Sequence, residues 1–278
     1  MPVLLRPDGA VQIGWDPRRA VLVRPPAGMS SAELAALLRA MASPMTRAEL
    51  GARATVPVDG LLDGLLAAGV ARERGAVPGR RALSIRVHGR GPLSELLADG
   101  LRCSGARLSR SSHTHAGAAD ADLVVLADSL AADPRLVRDL QTAGVPHLPV
   151  RMRDGTGLVG PLVIPGVSSC LCCVDLHRTD HDPAWPALAA QLRETVGVAD
   201  RPTLLATAAL ALGQVGQIIA AVHRSGPAGP PPRPPATLNT TVEVDVTRVS
   251  IVARRWPRHP LCGCWPGPEG TQTTPAPP

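Results

Sequence analysis

Four of the six cysteines in this 278-residue chain fall in two close pairs, Cys170 and Cys173 in Cys170-Leu-Cys-Cys173, and Cys262 and Cys264 in Cys262-Gly-Cys264. Zinc takes four tetrahedral thiolate or imidazole ligands, and structural sites gather them as two close pairs. The spacing predicts a structural zinc on Cys170, Cys173, Cys262 and Cys264 that staples the end of the chain to its middle. Each pair stands in a turn context, with Pro165-Gly166 before the first and His259-Pro260 and Gly263 framing the second. Two exchanges stay open from spacing alone: Cys172 for Cys170 or Cys173, and His259 for one of the last pair. A redox C-x-x-C opens a helix after the first strand of its fold, and it leaves the second pair unexplained. Cys103 falls in a helical pattern and reads as core. Asp175, His177, Arg178, Asp180 and His181 crowd the stretch after the first pair, equally suited to binding a ligand or to ordering the loop over the metal.

A second constellation is Gly89-Arg-Gly91-Pro-Leu-Ser94, between a predicted strand and a predicted helix, where a G-x-G-x-x-G phosphate turn belongs. Ser94 stands in place of the third glycine, and Pro92 removes an amide that a phosphate would use. Residues 109–119 hold no carboxylate for a ribose. Gly89 and Gly91 therefore read as a degenerate nucleotide turn that packs helix on sheet, and ATP is not expected there.

The elements that must position these residues fall into two modules. Residues 1–80 read as a small winged-helix-like module with two strands, Val11–Trp15 and Ala20–Arg24, and three helices. The first two helices open on the capping boxes Ser30-Ser-Ala-Glu33 and Thr46-Arg-Ala-Glu49, and the third spans Pro57–Ala68 with Gly69 as C-cap. Residues 81–266 alternate strand and helix: strands at Leu83–His88, Ala106–Ser111, Asp122–Ala127 and Val145–Val150, with helices from Pro92 and Asp133-Pro134 between them. That rhythm predicts an α/β domain with a mostly parallel, doubly wound sheet. A helix opened by Asp182-Pro183, a long helix near 203–222, a proline-rich loop at 227–235 and two final strands, Thr237–Val244 and Arg248–Ala253, complete it. Residues 267–278 read as a disordered tail.

Composition narrows the function classes. The chain has no Lys, Phe or Tyr, so all 29 basic residues are Arg and the core must be aliphatic. The net charge is +6, yet like charges cluster no further than pairs such as Arg18–Arg19 and Arg254–Arg255, so no nucleic-acid surface is expected. The predicted third helix carries Asp59 and Asp63 and no Arg, unlike a helix built for a major groove. The uncharged run Thr203–Val222 is of membrane-spanning length, but its Gln, Gly and Thr content predicts a buried core helix. The N-terminus lacks the apolar stretch of a signal peptide, so the protein is expected in the reducing cytoplasm, with its cysteines engaged in metal chemistry.

The segments Gly160–Gly166, Cys170–Pro186 and His259–Cys264, with the predicted α/β domain, resemble the ThiF-like, ubiquitin-activating-type superfamily. The closer resemblance is to its divergent bacterial branch, the ThiF-like cyclodehydratase partners of thiazole/oxazole-modified peptide biosynthesis. It covers nearly the whole chain, since those proteins also begin with a winged-helix-like leader-peptide clamp. It implies a Rossmann-like ThiF-type domain and a peptide or a YcaO-type enzyme as partner; a homodimer is left open. Adenylating members use a lysine, an acidic ribose anchor and a magnesium aspartate; here only Asp128 stands near the last of these positions. The expected function is a zinc-binding peptide and partner scaffold that has lost adenylation. The alternative is an ATP-dependent adenylyltransferase acting on a peptide or small-protein carboxyl terminus.

Overall fold

A computed structural model of the chain describes residues 1–71, 82–102, 104–112, 121–224 and 234–264. Cys103 and the tail at 267–278 lie outside them. The chain divides into two compact units, Met1–Gly79 and Arg80–Pro278.

The first unit holds a three-stranded antiparallel sheet in the order β1 (Val3–Leu5), β2 (Val11–Ile13), β3 (Val21–Val23), with α1 (Ser31–Ala40), α2 (Arg47–Arg53) and α3 (Asp59–Ala67). Only β2 and β3 were expected, because they flank the turn at Asp16–Arg19, whereas Val3–Leu5 is a plain apolar run with no alternation. Both capping boxes form: Glu33 and Glu49 amides donate to Ser30 Oγ (3.2 Å) and Thr46 Oγ1 (3.1 Å), and both carboxylates accept from the cap amides at 2.7 Å. Gly69 follows α3 at φ +69°, the left-handed conformation of a C-cap glycine. Val11, Leu34, Leu37, Leu50, Leu62 and Leu65 form the unit's core.

The second unit is built on a seven-stranded sheet in the order β10-β9-β8-β7-β6-β4-β5. Strands β4 (Ser84–His88), β5 (Arg107–Ser111), β6 (Leu123–Asp128) and β7 (His147–Arg153) are parallel. Strands β8 (Thr156–Val159), β9 (Thr240–Asp245) and β10 (Ser250–Arg255) continue the sheet antiparallel. This is a Rossmann-like α/β fold with a mixed sheet. Helix α4 (Pro92–Leu101) and the long α8 (Arg201–Arg224) share one apolar cluster with the sheet, through Leu93, Leu97, Val125, Leu148, Ala208 and Val215. Helix α5 (Pro134–Thr142) and α6 (Leu171–His181) belong to a second cluster with Val124, Leu126, Leu136, Leu140 and Cys173. Helix α7 (Trp185–Leu192) follows α6.

Residues Arg201–Val222 of α8 are long and apolar enough to cross a membrane by length and composition. Leu204, Ala208, Ala211 and Val215 are buried, and Gln214 Oε1 accepts hydrogen bonds from the Thr237 amide (3.2 Å) and hydroxyl (3.1 Å). Leu205 and Val222 remain about half exposed. The helix is thus a core element along one face, and not throughout as expected.

Candidate functional site

The strand-to-helix switch at Gly166–Leu171 brings the first cysteine pair onto a helix. Cys170 is the N-cap of α6, and Cys173 lies in its first turn. The expected turn forms at Pro165–Val167, and the first pair follows it at a helix start, where the partial positive charge of the helix end favours thiolate. Past β10, the chain turns back over α6, and the Cys262 amide donates to His259 O (3.0 Å). Cys262 and Cys264 then reach Cys170 and Cys173, each across 3.5 Å, while Cys170 and Cys173 stand 3.7 Å apart. All four sulfurs lie within 4.8 Å of one another.

A Zn–S bond of about 2.3 Å in a tetrahedron demands sulfur separations of about 3.8 Å, which these distances approach. The thiol chemistry agrees. Cys170 is held well above the usual thiol range by its contact with Cys172 and by burial, and Cys262 by burial. Burial and the Cys173 thiol push Cys264 up to about 11. Burial pushes Cys173 up as well, but the amides of His259 and Cys170 and the thiols of Cys264 and Cys262 outweigh it and leave Cys173 below the usual value. One thiolate is favoured, and the others need a cation beside them to ionise. The cluster can hold a metal ion.

Cys172 is exposed and outside the cluster. His259 is also outside it: its Nε2 donates to Asp180 Oδ2 (2.9 Å), and its Nδ1 accepts the Leu261 amide (3.1 Å). Cys172→Ser is therefore expected to retain the full metal content of the wild type, by elemental analysis of the purified protein.

The polar residues after the first pair lie on α6 and not in a loop, and most of them knit the cluster's surroundings. Asp175 Oδ1 accepts Trp185 Nε1 (3.0 Å), Arg178 stacks 4.6 Å from the Trp185 ring centroid, and His177 Nε2 donates to Pro257 O (3.1 Å). His177, Asp180 and His259 also lie within 4.8 Å of one another. The amide at His259 Nδ1 fixes the proton on Nε2, so that nitrogen is a donor and not a metal ligand. His181 is exposed.

The degenerate glycine turn holds the feature that sequence reasoning missed. Gly89 and Gly91 link β4 to α4, beside β6, where the parallel strand order reverses and doubly wound folds place ligands. Asp128, at the end of β6, has φ +73° and is buried. Its carboxylate accepts the amides of Gly91 (2.7 Å) and Leu93 (2.9 Å), with Ser94 at 3.4 Å. A Cβ on Gly89 or Gly91 would lie 2.6 or 2.7 Å from an Asp128 carboxylate oxygen. The glycines make room for a carboxylate of the protein itself, at the helix start where a phosphate would dock. Ser94 completes the turn, its hydroxyl donating to Gly91 O (2.7 Å).

No family model matches the chain, and no curated protein sequence matches it. Solved structures do. The heterocyclase TruD is 17% identical with a TM-score of 0.67, over 95% of this chain and 42% of that one. A heterocyclase in complex with substrate and cofactor is 13% identical with a TM-score of 0.65, over 92% of this chain and 37% of that one. E. coli MccB with AMPCPP and MccA is 12% identical with a TM-score of 0.56, over 95% of this chain and 97% of that one. The chain thus spans about two fifths of those heterocyclases and nearly all of MccB. At these identities the likeness is one of fold alone, the Rossmann-like α/β fold that the alternating strands and helices predict.

Proposed function

We propose that this protein is a zinc-stapled scaffold that binds a peptide and a partner enzyme, of YcaO type, in the cytoplasm, and that it has lost adenylation. The observation that carries the reading is Asp128. Adenylation needs the β- and γ-phosphates held at a helix start and cations placed on the charge that develops during transfer. Here the amides of Gly91 and Leu93 are bonded to a buried carboxylate, and the chain has no lysine. Both oxygens of Asp128 accept backbone amides, which opposes a magnesium-ligand role for it. The alternative, an ATP-dependent adenylyltransferase, draws on MccB, which nearly matches this chain in length and has been solved with ATP.

The zinc is assigned to Cys170, Cys173, Cys262 and Cys264. When bound, it neutralises the thiolates and fixes the loop after β10 to α6. Peptide binding is assigned to the first unit, read as winged-helix-like. β1 is an edge strand, and a peptide adding to it as a further strand would displace the Arg39 Nη2 bond to Val3 O (3.0 Å). A cavity of about 720 Å³ lies beside it, with Met1, Val3, Met41, Met45, Leu50 and Leu66 among its walls. Flexible methionines suit a groove that adapts to varied side chains. Candidate precursor peptides titrated into the full-length protein should shift the amides of Val3–Leu5 in NMR, with no requirement for ATP. Binding that leaves those amides unchanged would reject strand addition at β1, and binding seen only with ATP would reject the scaffold reading.

A further inference from the structure

At the carboxyl ends of β4, β6 and β7, under α5, lies a cavity of about 320 Å³. Leu126 and Leu136, from the cluster that seats α5, line its inner wall. Arg90, Arg135 and Arg193 stand exposed around it, and Arg151, only 5% exposed, forms part of the wall. Two carboxylates also line it, Asp133 and Glu194. Asp133 is engaged as the cap of α5, its Oδ1 accepting the Arg135 amide at 2.8 Å.

Arg151 is the anomaly. Among the described residues its guanidinium forms no hydrogen bond and no ion pair; the charges that act on it are those of Arg178, Asp175 and Arg153, two cations against one anion. A buried charge is tolerated when it is paired, and the pairing of β6 with β7 sets a natural partner, Asp128, directly across from Arg151. The left-handed backbone of Asp128 turns that carboxylate to the amides of α4 instead. The glycine turn is thereby closed, and the cavity keeps a buried cation without its counter-ion.

We infer that this cavity binds a compact oxyanion bearing more than one negative charge, phosphate- or carboxylate-based, anchored by Arg151 and gathered by Arg90, Arg135 and Arg193. Guanidinium groups present paired N–H donors that match either oxyanion. The volume stands at the lower end of ligand pockets, roughly 300–1,000 Å³. The site needs neither the metal nor a peptide, and the amides of Gly91 and Leu93 are already given to Asp128, so it does not depend on the scaffold reading.

The test is calorimetric titration of the full-length protein with pyrophosphate and with citrate, at fixed ionic strength in chloride, alongside Arg151→Gln and Arg151→Met. Saturable one-to-one binding is expected for at least one of the two, weakened at least tenfold in Arg151→Gln; which anion binds more tightly assigns the source as phosphate or carboxylate. Ligand-free Arg151→Met is expected to melt no lower than the wild type, because it removes an unpaired buried charge, while losing the rise in melting temperature that the anion gives. Heats that never saturate, binding indifferent to Arg151→Gln, competition by adenosine, or a ligand-free Arg151→Met that melts clearly lower would each overturn the inference.

Discussion

Cys262→Ser is expected to strip the metal from the protein and to lower its melting temperature sharply. Structural zinc contributes on the order of 10 kcal/mol of folding free energy in small domains, comparable with the whole stability of an ordinary domain. Here the aliphatic core of the sheet survives the loss, so only a part of that energy is at stake. A third of it still corresponds to a fall of roughly 10 °C for a domain of this size. The physical cause is local. Cys170 and Cys173 are buried beside Leu171, Val163 and Leu140; without the cation Cys170 reverts to a neutral thiol and the Cys173 thiolate is left without its metal in an apolar setting. The loop carrying Cys262 and Cys264 then loses its main tie to α6. Elemental analysis with scanning calorimetry checks both effects; well-folded wild-type protein without zinc, or Cys262→Ser that melts like the wild type, would refute the staple.

Acidification is expected to cost the protein about 3 kcal/mol between pH 7.5 and 4 through one core residue, His147. It is fully buried, its Nδ1 donates to Val145 O (3.0 Å), and among the described residues its Nε2 meets no partner. Burial lowers its pKa from 6.5 to about 4, only partly opposed by the Val145 carbonyl. The folded state thus disfavours the imidazolium, and below about pH 6.5 the unfolded chain binds the extra proton. Stability is intact above that value and declines until the folded-state pKa near 4; a shift of this size is worth about 3 kcal/mol at roughly 1.4 kcal/mol per unit. Denaturant unfolding of His147→Leu and wild type at matched pH isolates the effect, since metal release at low pH affects both. The gap between the two stability curves should change by about 3 kcal/mol across the window. Parallel curves would show that His147 is not the acid-sensitive group.

What was legible in the sequence was the chemistry written in residue types. Cysteine spacing shows in one dimension, and so do the capping boxes and the apolar run Leu123–Leu126 that became the buried β6. Helix α6 was hidden because Asp175, His177, Arg178 and Asp180 break its apolar stripe and because its N-cap is a cysteine, which no capping signal marks. β8 escaped notice because Asp154-Gly155 turns the chain after β7 with only four residues to follow. Asp128 was marked only through the resemblance, as the residue near the position of a magnesium aspartate. Its actual task depends on a positive φ that favours Gly, Asn and Asp without being required by any of them, and only the fold shows where that conformation sends the carboxylate. The same holds for Arg151, which register sets opposite Asp128 and which the turn of that carboxylate to α4 leaves without it.

Closure of the glycine turn by Asp128 is tested most directly by ATP–pyrophosphate exchange with the full-length protein in the presence of candidate peptides. Exchange should stay at background for every peptide, because the amides that would hold the phosphates are bonded to the protein's own carboxylate. Peptide-dependent exchange that disappears in Gly91→Val would contradict it and make the adenylyltransferase reading the correct one.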